Sequence, residues 1–225
     1  MRNAAMKAIK RAVVRTPLKR FVLYRHSLRF APQELCRLIQ LVTDTAGVEG
    51  DLVEVGCATG QTTVFINKHL DALREQHAKY LCIDTFEGFT EGDIQHEIQN
   101  RDKKEYESVM QGSFRLNDVR WFREMLKINR VHRAVCIKTD IADYQFPSGQ
   151  KIRFALLDVD LYKPTANALP KIYSCLSPGG IIVVDDCYDR GIYDGSGQAF
   201  HEFISRTPGI IHSVDGKLGV IRKSA

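Results

Sequence analysis

Gly50 to Gly60, GDLVEVGCATG, reads as a short apolar strand that runs into a glycine turn and then directly into a helix starting near Gln61. A strand, tight turn and helix in immediate succession form the βα unit of a parallel α/β sheet, which presents backbone N–H groups to a ligand at its carboxyl edge. The turn glycines, Gly56 and Gly60, are spaced GxxxG, and Glu54 lies near the strand's end. A pyrophosphate loop would read GxGxxG and would not set an acid against two phosphates. An acid here suits a ligand with a cationic group and free hydroxyls, and S-adenosylmethionine, with its sulfonium and amino group, is one. Ordinary βα punctuation has the same appearance, so the rest of the chain has to decide.

At 225 residues with 44% hydrophobic content, the chain is long enough to bury the core of one large α/β domain. No apolar run approaches the roughly 20 residues of a membrane span, and the basic N-terminus lacks a signal-peptide core. A cytoplasmic protein is expected. The six cysteines never form CxxC, and most fall in apolar segments, so they read as small apolar residues rather than a zinc site or disulfide frame. Residues 1–30 hold nine of the 32 Lys and Arg and no acid, so the net +5 belongs to this arm. Residues 3–14 fit a weak basic amphipathic helix that touches anionic lipid, which would make the protein peripheral to the membrane. The competing expectation, which the lack of aromatics before Phe21 favours, is a solvated arm packed on a neighbouring subunit. Nucleic acid is not expected as a partner, because the basic residues are confined to one terminus and no nucleic-acid motif follows.

From residue 31 helices and strands alternate. A leading helix to about Thr45 precedes strand 51–56, helix 61–75 and a second strand at Tyr80–Ile83. That strand ends in Asp84, 24 residues beyond Gly60, the usual place for an acid that grips the ribose hydroxyls of an adenosine. Asp84 alone serves equally well as a cap; beside Glu54 and the two glycines, binding is the expectation. Residues 85–113 are polar and too long for a simple connection, which predicts a partly helical lid or substrate loop. A helix at about 117–128 and a strand at 133–138 follow, the latter running into Asp140. There Asp140 either accepts the adenine amino group or caps a turn.

FALLDVDLYKPT, from Phe154, is a buried strand that ends in Asp158 and Asp160, with a helix expected near Thr165 as N-cap and bending at Pro170 just past its first turn. SPGGIIVVDDC is the next strand, introduced by a Pro-Gly-Gly turn and ending in Asp185 and Asp186. In a parallel sheet these ends share the edge that carries Gly56 and Asp84. Several carboxylates in one small volume repel one another unless a cation neutralises them, and all-oxygen ligation favours Mg²⁺ over zinc. Caps on the next helices would account for one Asp pair at a time, not for two adjacent strands that both end acidic. A helix at about 196–206 and a hairpin around Asp215–Gly216 close the chain. A final antiparallel strand fits the seven-stranded, Rossmann-like sheet of class I methyltransferases, mostly parallel with helices on both faces.

VEVGCATG, DTFEGF, LDVDLYKPT and LSPGGIIVVDDC, in that order, resemble the macrocin O-methyltransferase family over roughly residues 31–225. That resemblance implies S-adenosylmethionine and Mg²⁺ as cofactors, a sugar hydroxyl as acceptor, and a homodimer or larger assembly. It implies metal ligation by Asp158, Asp185 and Asp186, with Glu54, Gly56 and Asp84 at the cofactor; the cradle is expected to extend to Cys57, Ala58, Gly60, Thr62, Thr85, Phe86 and Asp140. The proton acceptor is expected among Asp160, His96 and Tyr106. The departures are Ala58, where many methyltransferases have a second glycine, and the lid histidine, for which this chain offers His96 while Tyr106 stands nearer the aligned position. Two other classes remain: a nicotinamide-dependent oxidoreductase, which lacks GxGxxG and leaves the Asp pairs unused, and a non-catalytic membrane-tethered nucleoside-binding module.

Overall fold

The computed structural model describes residues 12–13, 15–16, 28–75, 78–188 and 190–224. Most of the basic arm, including the expected helix over 3–14 apart from residues 12–13, lies outside the described residues. The elements, in order, are α1 (Pro32–Asp44), β1 (Asp51–Val55), α2 (Gln61–Ala72), β2 (Tyr80–Asp84), α3 (Glu91–Asn100), a 3₁₀ turn (Lys104–Tyr106), α4 (Glu107–Gly112), α5 (Val119–Ile128), β3 (Ala134–Lys138), β4 (Ile152–Leu157), α6 (Tyr162–Cys175), β5 (Leu176–Val184), α7 (Gly195–Arg206), β6 (Ile211–Asp215) and β7 (Leu218–Arg222). The strands form one seven-stranded sheet in the order β3-β2-β1-β4-β5-β7-β6. The first five are parallel, whereas β7 lies antiparallel between β5 and β6.

Alternation along the strands explains the two-sided core. Leu52, Cys82, Phe154, Leu156, Ile181 and Val183 face one way, onto Leu38 and Val42 of α1, Ile66 and Leu70 of α2 and Phe122 of α5. Val53, Val55, Ile83, Leu157, Ile182 and Val184 face the other way, onto Ala168, Leu169 and Ile172 of α6 and Phe200 of α7. Strands covered on both faces read as continuous apolar runs, and all six residues of β4 are buried. Arg153 is the polar exception, with Nη1 donating to Thr45 O and Nη2 to Glu75 Oε2. Of the cysteines, Cys57, Cys82 and Cys187 are buried as expected of small apolar residues, while Cys36 is exposed.

Two boundaries differ from the sequence expectation. Helix α6 starts at Tyr162, three residues before Thr165, because Glu97 Oε1 from α3 accepts the Tyr162 N–H at 2.7 Å and supplies the missing cap. Thr165 lies inside the helix with its hydroxyl donating to Leu161 O, and Pro170 sits well along it rather than just past the first turn. Strand β5 includes the Pro-Gly-Gly stretch, whose extra residues are absorbed by a register shift between Ile152 and Phe154 of β4. The polar stretch 85–113 holds α3, the 3₁₀ turn and α4.

Candidate active site

The carboxyl ends of the parallel strands open into a cavity of about 300 Å³ lined by residues from the loops after β1, β2, β3, β4 and β5. The loops after β1, β2, β4 and β5 each hold one non-glycine residue in the left-handed region: Ala58 (φ 45°), Phe86 (54°), Asp160 (60°) and Asp186 (58°). Such conformations cost energy for residues with a Cβ and concentrate at functional loops.

The first half of the site is a cradle of backbone. Gly56 has φ +89°, and a Cβ there would stand 1.8 Å from the carbonyl oxygen of Asp158, so only glycine lets the β1 and β4 loops cross. The N–H groups of Cys57 and Ala58 donate to Asp84 Oδ2 at 2.7 and 2.9 Å, and that of Phe86 donates to Oδ1 at 2.5 Å. Burial pushes the Asp84 carboxyl up, against the pull of these three bonds. Asp84 thus builds the loop while it faces the cavity, together with Gly56, Cys57, Ala58, Thr62 and Thr85. Asp140 also lines it, and its Oδ1 caps the following turn through the Ala142 N–H, so the cap exists beside any ligand role.

Three residues expected in the cradle instead support it from behind. Glu54 is buried beneath the loop, where its Oε2 accepts from Thr63 Oγ1 at 2.7 Å and Tyr80 OH at 2.8 Å. Burial raises its carboxyl to about 7 despite those two bonds, and it does not line the cavity. The reason is pleat: Glu54 points to the face that carries Tyr80 and Leu52, not to the edge. Gly60 starts α2 at φ +83° and admits Phe122, whose ring a Cβ would meet at 2.9 Å. Phe86 is buried against Phe122, with ring centroids 4.9 Å apart.

The second half is acidic. Asp158, Asp160, Asp185 and Asp186 all line the cavity. Burial pushes the carboxyls of Asp158, Asp160 and Asp185 well up, and repulsion from neighbouring aspartates pushes them further. A cation from the far end of the chain enters this cluster. Lys217, at the exit of the β6–β7 turn, donates from Nζ to Asp185 Oδ2 at 2.7 Å and to Asp186 Oδ1 at 3.4 Å. Asp185 Oδ1 is buried and has no hydrogen-bond partner among the described residues. An all-oxygen donor set with an unpartnered buried carboxylate oxygen fits a hard divalent cation. Among the described residues, the group of three whose ligand atoms all fall within 4.8 Å is a different one, Glu54, Cys57 and Cys82. Burial pushes both of those thiols up, which disfavours the thiolate a metal needs. The aspartates are therefore spread more widely than a closed chelate, with an ammonium among them.

Of the three residues considered for proton removal, only Asp160 faces the cavity. The His96 ring stacks on Tyr162 with centroids 5.1 Å apart and planes 9° from parallel, and Tyr106 packs with Ile94, Met110 and Leu161. Neither residue lines the cavity. Several lining residues escaped sequence reading: Arg29, whose guanidinium lies 4.5 Å over the Phe114 ring; Tyr188; Tyr193, whose hydroxyl is 2.9 Å from Ser113 Oγ; and Lys217. The Asp215–Gly216 turn pointed to the hairpin, but only the pairing of Val184 with Gly219 brings Lys217 to the end of β5.

The sheet order, the inserted antiparallel strand and the strand-edge cavity define the fold of the class I methyltransferases. Within that class the chain belongs to the macrocin O-methyltransferase family, whose model matches residues 28–216. A relative from Streptomyces olivaceus, described as 8-demethyl-8-(2,3-dimethoxy-alpha-L-rhamnosyl)-tetracenomycin-C 4'-O-methyltransferase, is 28% identical over 162 residues, 71% of this chain. The match spans 60% of that relative's own length. Among solved structures, the O-methyltransferase NovP superposes with a TM-score of 0.72 at 20% identity, covering 86% of this chain and 80% of its own. The calicheamicin methyltransferase CalS11 does so with 0.69 at 18% identity, covering 98% and 91%. These two likenesses establish the fold. No helix among the described residues is long and apolar enough to cross a membrane.

Proposed function

We propose that this chain is an S-adenosylmethionine-dependent, divalent-metal-assisted O-methyltransferase that acts on a hydroxyl of a sugar or glycosylated natural product. The observation that carries this is the meeting of the Gly56–Ala58 cradle and the four aspartates in one cavity. Family membership supports the chemistry, and the rhamnosyl substrate in the description of the Streptomyces relative supports a sugar acceptor.

In this proposal the loops that Asp84 holds through the Cys57, Ala58 and Phe86 N–H groups, with the polar side chains of Thr62, Thr85 and Asp140, orient the methyl donor. Asp158, Asp185 and Asp186 would hold Mg²⁺, which supplies Lewis acidity that makes an acceptor hydroxyl easier to deprotonate. Asp160 takes that proton, since of the three residues considered it is the one that faces the cavity. Methyl transfer then leaves S-adenosylhomocysteine and the methyl ether. Tyr188, Tyr193 and Phe114 wall off the acceptor side and exclude water. A homodimeric or larger assembly and a cytoplasmic location complete the proposal; family resemblance supports the first and the lack of long apolar runs the second.

The test is transfer of labelled methyl to a panel of glycosides and catechol-like diols, with Mg²⁺ and with chelator, alongside calorimetry with S-adenosylmethionine and NAD. Asp158→Ala and Asp185→Ala should abolish Mg²⁺-stimulated turnover and leave S-adenosylmethionine binding largely intact. Full activity of both variants in chelator overturns the metal assignment, and binding of NAD in preference to S-adenosylmethionine overturns the activity.

A further inference from the structure

Lys217 lines the cavity, yet neither the mechanism nor the sequence pattern accounts for it. It follows Gly216 at the hairpin turn, and the antiparallel seating of β7 against β5 carries it to Asp185 and Asp186. Its backbone is fixed there too, since Lys217 O accepts the Cys187 N–H at 2.7 Å. Its side chain is only 22% exposed, and its Nζ also stands 4.7 Å from the centre of the Phe30 ring. The ammonium therefore has two supports, a carboxylate pair and an aromatic face, and a flexible four-carbon stem between them.

We propose that Lys217 is a built-in competitor for the divalent cation: it neutralises Asp185 and Asp186 when the cation is absent and yields their oxygens when it enters. This rests on the metal reading above. Buried carboxylates at close quarters are unstable without a positive charge, and Lys217 supplies one to Asp185 and Asp186. A second cation at the same oxygens meets like charge from the ammonium, so its affinity is lowered by the cost of displacing Lys217 onto Phe30 or toward solvent. Asp185 Oδ1, which has no partner among the described residues and which Lys217 does not reach, offers the entering ion a first ligand. The consequence is a metal requirement set by a residue outside the ligand set.

The test uses the full chain without cofactor and measures Mn²⁺ binding, by the loss of the free-ion electron paramagnetic resonance signal, for the parent protein, K217M, K217R and D185N. K217M is expected to bind Mn²⁺ about tenfold tighter or more, as removal of a nearby like charge requires, with K217R close to the parent. In chelator K217M should melt below the parent, and saturating Mn²⁺ should raise its melting temperature by more than it raises the parent's. K217Q, which keeps a donor for Asp185 without the charge, carries the same expectation if K217M does not fold. Equal or weaker binding by the neutral variants, with D185N abolishing binding, overturns the role of Lys217 and leaves the metal site standing. Absence of Mn²⁺ binding in the parent and in every variant overturns the metal reading itself, and this inference with it.

Discussion

Asp84 Oδ2, at the end of β2, accepts the backbone N–H of Cys57, two residues past the end of β1, at 2.7 Å. With the Ala58 and Phe86 N–H groups on the same carboxylate, one side chain fixes two of the loops that frame the cavity. Asp84→Asn turns one acceptor oxygen into a donor facing N–H groups. It should cost about 1–3 kcal/mol of stability and weaken S-adenosylmethionine binding by roughly tenfold or more. Chemical denaturation and calorimetry measure the two effects, and parent-like values for both would show that the carboxylate does not organise the loop.

Gly56→Ala should destabilise the chain by about 3 kcal/mol or more, since it combines an unfavourable φ with an impossible approach to the backbone of Asp158. Gly149 is the control: it also has positive φ, +77°, but nothing lies within 4 Å of a Cβ there. Gly149→Ala should cost only about 1 kcal/mol. Urea melts of the two variants separate conformational strain from collision, and equal losses would refute the crossing of the two loops.

The buried Glu54 makes stability depend on pH. Its carboxyl is raised from the ordinary 4.5 to about 7, chiefly by burial. Between those values the folded chain keeps a proton that the unfolded chain has lost, so this contribution is full below the lower value and falls as pH rises toward the upper. The loss is on the order of 3 kcal/mol over that window. Glu54→Gln, which cannot ionise, should flatten the profile by that amount and become more stable than the parent relative to it near pH 7. Parallel slopes for the two proteins between pH 5 and 7 would sink the assignment.

Arg101, at the end of α3, joins that helix to the loop that carries Tyr188 and Tyr193. Its Nε donates to Glu97 Oε2 at 2.7 Å and its Nη2 to Asp194 Oδ1 at 2.5 Å, while Lys103 donates to Asp194 Oδ2 and Gly191 O. Arg101 and Glu97 are nearly fully buried. Arg101→Ala strands Glu97 without its counter-charge and should cost about 3–5 kcal/mol. Because the cradle lies elsewhere, acceptor KM should rise more than S-adenosylmethionine affinity falls. Thermal melts and steady-state kinetics decide, and an equal effect on both ligands would place the network under the whole cavity.

Much of the architecture was legible because it depends on near neighbours. The apolar strands, the GxxxG turn, the Asp-Gly hairpin and the two acidic strand ends are patterns of a few residues each, and the sheet's parallel sense follows from the helices between its strands. The aspartates, the glycine loop and Asp84 were identified on that basis, and the cavity contains them. Glu54, His96 and Tyr106 show where it stopped. Their chemistry suited a site, but strand pleat turned Glu54 into the core, and His96 stacks on Tyr162 while Tyr106 packs on the Ile94–Met110–Leu161 cluster, away from the cavity.

The sequence by itself determined which elements form, in what order, and that glycine and acid gather at the strand ends, since φ preference, side-chain period and hydrophobicity act locally. Only the tertiary structure decided which charges meet. Lys217 reaches Asp185 across 32 residues, and Glu97 caps Tyr162 across 65. Neither contact has a local signature, because a hydrogen bond depends on the last ångström of approach, and that distance is set by sheet register and helix packing.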